Sequence, residues 1–134
     1  MRQYLIHYGI VLAIFLAIDF AWLSTAGRTI YVSEIGSMLR DRPNFAVAFL
    51  FYALFALGLL VFVIEPAVPV GLSKQVLILG GFFGLVAYAT YDLTNLATLK
   101  GFTMRIAIID MVWGTALSAG VTALSLTAFK LLKV

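Results

Sequence analysis

The sequence contains no cysteine, a single histidine and three prolines, and only 11% of its 134 residues are charged. Without cysteine there is no disulfide framework, no thiolate metal site and no cysteine-based redox chemistry. One histidine argues against His-ligated zinc and against histidine-based hydrolysis, and neither a Ser/His/Asp grouping nor a glycine-rich phosphate loop is present. No nucleic-acid-binding motif accompanies the net charge of +3, which is ordinary for basic residues beside a membrane. What is abundant is apolar: 63% of the residues, with a mean hydropathy of +1.09. Soluble domains carry about 45–50% apolar and about 25% charged residues, so this chain lacks the polar surface needed to face water. Intrinsic disorder is excluded by the same numbers.

A membrane-spanning helix needs about 20 predominantly apolar residues. Four stretches qualify, at positions 4–23, 45–64, 76–99 and 102–132. None shows the polar–apolar alternation of barrel strands. The expected fold is therefore all-α: one polytopic domain over residues 1–134, its four transmembrane helices packed as a compact bundle. The first run could pass for a signal peptide, but it is longer than a signal h-region and contains Asp19 and Trp22, so it is read as a retained helix. An even number of spans places both termini on the same side.

The connections differ. In the long first loop, Tyr31, Val32, Ile35, Met38 and Leu39 recur at helical spacing while Arg28, Glu34, Arg40 and Asp41 take the other side. This pattern predicts a short interfacial helix ending before Pro43, with Arg40 and Arg42 near lipid phosphates. The later connections are a Pro/Gly reversal at 65–71 and little more than Lys100-Gly101. Lysine and arginine counts do not choose an orientation: Arg2, Lys74, Lys130 and Lys133 lie on one side, Arg28, Arg40, Arg42, Lys100 and Arg105 on the other.

Small residues at four-residue spacing let helices approach closely in lipid. They occur at Gly9, Ala13 and Ala17, at Gly80 and Gly84, and at Gly114, Ser118 and Thr122. Spans one, three and four are thus expected to pack as a trio. The bulky second span, with Phe49, Phe51, Phe55 and Phe62, is expected to face lipid or another copy.

Three of the six acidic residues, Asp19, Asp92 and Asp110, fall inside spans. A carboxylate at mid-bilayer costs about 2.5–3.5 kcal/mol on insertion scales, so each marks a candidate site. All three lie roughly 7–12 Å inside the same membrane boundary, the side of the first and third loops. Tyr88, Asp92 and Asn95 share a helix face with Gly81 and Gly84, flanked by Tyr91 and Thr94. Asp19 to Trp22 and Asp110 to Trp113 repeat one Asp-x-x-Trp spacing, the alternative role for each tryptophan being an interfacial anchor. No lysine or arginine sits deep in a span, although Arg105 and Arg28 have the length to reach down. The negative charge then has three outlets: protonation, a bound divalent cation such as Mg²⁺, Mn²⁺ or Ca²⁺ held by Asp19, Asp92 and Asp110, or a cationic ligand. The alternative is a purely structural network with Tyr88, Tyr91, Asn95 and the indoles. His7 and Glu65, on the opposite side, read as residues of the membrane–water interface rather than as a proton-responsive pair.

The segments Asp19-Phe20-Ala21-Trp22-Leu23, Tyr88-Ala89-Thr90-Tyr91-Asp92-Leu93-Thr94-Asn95 and Asp110-Met111-Val112-Trp113-Gly114 resemble the signature segments of Domain of Unknown Function 2177, a bacterial family of small four-span membrane proteins. The resemblance implies a bacterial inner-membrane location and carries no activity. From the residues themselves, the expected function is a small proton- or cation-linked transporter or ligand-binding protein, with the lipid bilayer and further copies of the chain as partners and no nucleic acid. The alternatives are a lipid-modifying enzyme with a divalent cation at the aspartates, drawing phosphate with Arg28, Arg40, Arg42, Lys100 and Arg105, and an accessory or lipid-organising subunit with structural aspartates.

Overall fold

The computed structural model describes residues 1–134 and is helical throughout, with no strand. Four helices are long and apolar enough to cross a membrane: α1 (Arg2–Ser24), α3 (Phe45–Ala67), α4 (Lys74–Thr98) and α5 (Met104–Leu132). A shorter helix, α2 (Ala26–Ile35), follows α1 directly and ends in a tight turn at Gly36–Met38. Local chemistry sets these boundaries. Asn44, Ser73 and Thr103 each accept a hydrogen bond from the backbone N–H three residues on, satisfying a donor that the first turn of α3, α4 or α5 leaves free. At Thr25 the hydroxyl turns back onto the Ala21 carbonyl (2.7 Å), and the chain bends from α1 into α2. Near its end α3 opens into a wide turn at Leu60–Ile64, immediately before Pro66, whose missing N–H and ring interrupt the regular ladder.

The spans form a ring in which α1 packs on α3 and α5, and α4 packs on α5 and on the wide turn of α3. The α4–α5 contact is the closest, as the small-residue spacing predicts. Gly80 faces Thr122, and Gly84 faces the Gly114 carbonyl and Ser118 with no room for a β-carbon. Elsewhere the expected arrangement is corrected. The Gly9–Ala13–Ala17 stripe of α1 is exposed, and its buried face is His7, Val11, Phe15 and Asp19, two residues and about 200° around the helix. Here bulky side chains, not small ones, fill the interior. The second span is peripheral only in part: Phe49, Phe51 and Phe62 are exposed as expected, but Phe55, Ala56, Leu59 and Ile64 of α3 are buried in the main core, where Phe55 stacks on Phe15 (4.9 Å between ring centroids).

The predicted interfacial helix is present as α2, but it is tied to the bundle more firmly than a helix resting on lipid. Ile35 joins Phe102, Ile106 and Ala107 in a second small core. Glu34, assigned by spacing to the solvent side, turns inward instead: it accepts hydrogen bonds from Thr103 (2.6 Å) and Arg105 (2.9 Å) at the start of α5. Val32, Met38 and Leu39 remain exposed beside Arg40 and Arg42.

Candidate functional site

Asp19, Asp92 and Asp110 are buried at the same end of the bundle, on α1, α4 and α5. They are not equivalent. Asp19 is held from two sides, its carboxylate accepting from the Tyr52 hydroxyl of α3 (2.6 Å) and from the Trp113 indole N–H of α5 (2.9 Å). Two donors to one buried carboxylate satisfy it as an ion and tie three spans together. The two Asp-x-x-Trp segments meet: Trp22 and Trp113 stack with 4.5 Å between ring centroids and 13° between planes. Both indoles are half-buried and donate inward, Trp22 weakly to the Tyr31 hydroxyl (3.4 Å), so neither serves simply as an interfacial anchor. Gly27 permits this, because a β-carbon there would run into the Trp22 ring.

Asp110 accepts from the hydroxyl of Tyr31, which α2 folds back over the end of the bundle. Burial, and then the bond to Asp110, push the Tyr31 phenol well above the usual tyrosine range, so it stays a neutral donor. Asp92 is different again. It is fully buried (0% exposed), neither of its oxygens receives a protein N–H or O–H, and the charged side chain beside it is Asp110. Two carboxyl groups can share a hydrogen bond only when one carries a proton. Asn95, on the same helix face, does not bond to Asp92.

Beside this pair lies a cavity of about 300 Å³. Its polar wall is made by the carboxyls of Asp19 and Asp110, and four tyrosines, Tyr31, Tyr52, Tyr88 and Tyr91, supply half of the rest. Asp92 sits outside the wall, against Asp110. Tyr88 is placed by Gly114, whose missing side chain leaves space for its ring, and the Tyr88 hydroxyl makes no hydrogen bond within the protein.

None of the basic residues reaches the aspartates. Arg105, expected to lean toward Asp110, pairs with Glu34, and Arg28, Arg40, Arg42 and Lys100 are exposed and form no ion pair. No three histidine or acidic side chains converge closely enough to hold a metal ion between them. At the other end of the bundle, the interface placement of His7 is corrected: it is 1% exposed, stacked on Phe129 (3.9 Å), and its Nδ1 lies 2.6 Å from Glu65 Oε1. The wide turn of α3 ends at Glu65 and aims that carboxylate at α1.

Tyr31 and Tyr52 are the site residues that sequence spacing missed. The signal was available in each case: a hydroxyl inside an otherwise apolar span, and a tyrosine on the apolar stripe of α2.

No curated protein and no solved structure matches the chain. A family model does, over residues 4–127, a range that holds every residue of the cavity and all three aspartate segments. With four helices fit to span a membrane and that match across nearly its whole length, the chain belongs to the family of predicted membrane proteins described as Domain of Unknown Function 2177.

Proposed function

We propose that this is a small ligand-binding or transport protein of the bacterial inner membrane, which takes an organic cation into the cavity and links its binding to a proton shared by Asp92 and Asp110. The observation that carries the proposal is Asp92, buried without a single protein donor against a second carboxyl that forms the wall of a cavity. An ionised carboxylate in that position would lack both water and hydrogen bonds, a cost of several kcal/mol that a proton between the two groups removes. A cation arriving beside Asp110 favours the doubly ionised pair and so expels the proton; proton return then disfavours the cation. Asp19, which accepts from Tyr52 and Trp113, supplies the second carboxyl of the cavity wall. Exchange of this kind is a recognised use of intramembrane acids.

Trp22 and Trp113, the only tryptophans, border the site and report on it by fluorescence. The protein in phosphatidylglycerol nanodiscs is titrated with tetraethylammonium and with dodecyltrimethylammonium at several pH values. The proposal expects a saturable change in tryptophan emission, with affinity for at least one cation rising with pH, and with that pH dependence lost in Asp92→Asn while the folded protein is retained. Absence of saturable binding by both cations, or binding whose pH dependence survives in Asp92→Asn and Asp110→Asn, overturns it in favour of structural aspartates.

A further inference from the structure

The shape and lining of the cavity specify the ligand more closely. Resting on the cation-binding function proposed above, we infer that the ligand is an alkylated ammonium group, tertiary or quaternary, attached to an apolar chain, and that it enters from the bilayer between α3 and α4 rather than from water.

The entry route follows from how α3 lies. It meets α4 through its wide turn, through Gly58, which faces Phe83, and through Phe55, which touches Phe83 and Tyr88 edge-on at 5.4 and 6.0 Å between ring centroids. Toward its start α3 has no such neighbour: Phe45, Phe51 and Leu54 are 77%, 47% and 68% exposed. The cavity lies beside Phe55, and its lining includes Phe51 of α3 and Tyr91 of α4, 47% and 57% exposed. These two exposed lining residues lie six and seven positions inside the ends of their helices, Phe45 and Thr98, or about 10 Å at 1.5 Å per residue. That depth is hydrocarbon, not headgroup water. Any molecule using this mouth has first partitioned into the membrane, and its chain can stay in lipid between the two helices.

The ammonium chemistry follows from the hydrogen bonds already made. Asp19 already has a donor on each oxygen and Asp110 takes one from Tyr31, and apart from these carboxyls and the tyrosine hydroxyls the wall is aromatic rings and aliphatic side chains. A primary ammonium brings three N–H donors, each of which must give up water on entering a wall that is mostly apolar. A trialkylated or tetraalkylated nitrogen brings one or none. It needs negative charge and aromatic faces, and here two carboxyls stand among the rings of Tyr52, Tyr88, Tyr91 and Phe55. A free alkylammonium and the choline headgroup of a phospholipid share this chemistry.

The test compares four ligands by tryptophan emission in phosphatidylglycerol nanodiscs: dodecyltrimethylammonium, dodecylamine, choline and dodecyl sulfate. We expect the first to bind saturably, dodecylamine and choline at least tenfold more weakly, and dodecyl sulfate not at all. Tyr88→Leu should weaken dodecyltrimethylammonium about tenfold, as befits one desolvated ring, while Tyr88→Phe stays within about threefold. Because Tyr88 also packs on Gly114, Ala87→Phe, which fills the cavity from its wall, gives a second and independent loss. In phosphatidylcholine nanodiscs, a weaker apparent affinity supports the lipid headgroup as a source, and an unchanged one supports a free alkylammonium. Equal binding of choline and dodecyltrimethylammonium overturns the bilayer route while leaving the cation function standing, and equal binding of dodecylamine overturns the preference for alkylated nitrogen. Failure of all the cations removes the underlying function as well.

Discussion

Trp113 shows how much a single atom carries in this interior. Trp113→Phe keeps an aromatic ring against Trp22 but removes the N–H from Asp19, leaving that buried carboxylate with Tyr52 as its one donor. Denaturant unfolding in mild detergent should record a loss of about 1–3 kcal/mol. The glycines give a paired prediction. Gly114→Ala drives a β-carbon into the Tyr88 ring and should cost about 1–3 kcal/mol by overpacking, whereas Gly120→Ala meets nothing within 4 Å and should gain about 0.5–1 kcal/mol from helix propensity. Thermal unfolding of the two variants side by side checks the sign of each. At this scale the sequence was informative about which residues are anomalous and silent about their pairing. Asp19, Asp92, Asp110 and both tryptophans stand out because lipid penalises them. That Asp19 is satisfied while Asp92 is not depends on Tyr52, brought in by a helix whose composition marked it as outward-facing.

Among the elements, α2 is the one whose role spacing could not define. Its apolar stripe correctly predicts a helix, but Glu34 and Tyr31 tie it to α5 through side-chain bonds that periodicity does not encode. Thr103 is the junction, since its hydroxyl donates to Glu34 and accepts the Ile106 N–H that starts α5. Thr103→Ala should therefore lower stability by about 1–2 kcal/mol, the cost of a lost N-cap, and should loosen α2 so that Trp22 emission shifts toward that of a wetter indole. Arg105→Ala should cost less than about 1 kcal/mol, because that side chain is 71% exposed and its pairing with Glu34 is screened. Near-equal effects of the two changes would mean that the Arg105 pairing, rather than the Thr103 junction, fastens α2. In α1 and α3 the misassignment had a common origin. Small-residue stripes and bulky faces were both judged without knowing which side of the helix the core would claim, and the core took the large side chains, Phe15 and Phe55 among them.

At the scale of the whole molecule, four apolar runs were enough for the all-helical, four-span architecture, and the shared depth of the aspartates correctly placed them at one end of the bundle. What no spacing rule supplied was the cavity, beside which α3 meets α4 through Phe55, Gly58 and the wide turn before Pro66. The two ends of the bundle are also chemically distinct, a carboxyl pair beside the cavity at one and the buried His7–Glu65 pair at the other. The central claim is that Asp92 and Asp110 share a proton in the resting protein. Infrared spectroscopy of the protein in nanodiscs at neutral pH, with Asp92→Asn, Asp110→Asn and Asp19→Asn as references, measures this directly. The account predicts a protonated-carboxyl C=O band in the wild type that disappears in Asp92→Asn and in Asp110→Asn, survives in Asp19→Asn, and diminishes when dodecyltrimethylammonium is bound. A wild-type spectrum with no such band at neutral pH, or a band untouched by both Asp92→Asn and Asp110→Asn, would contradict it.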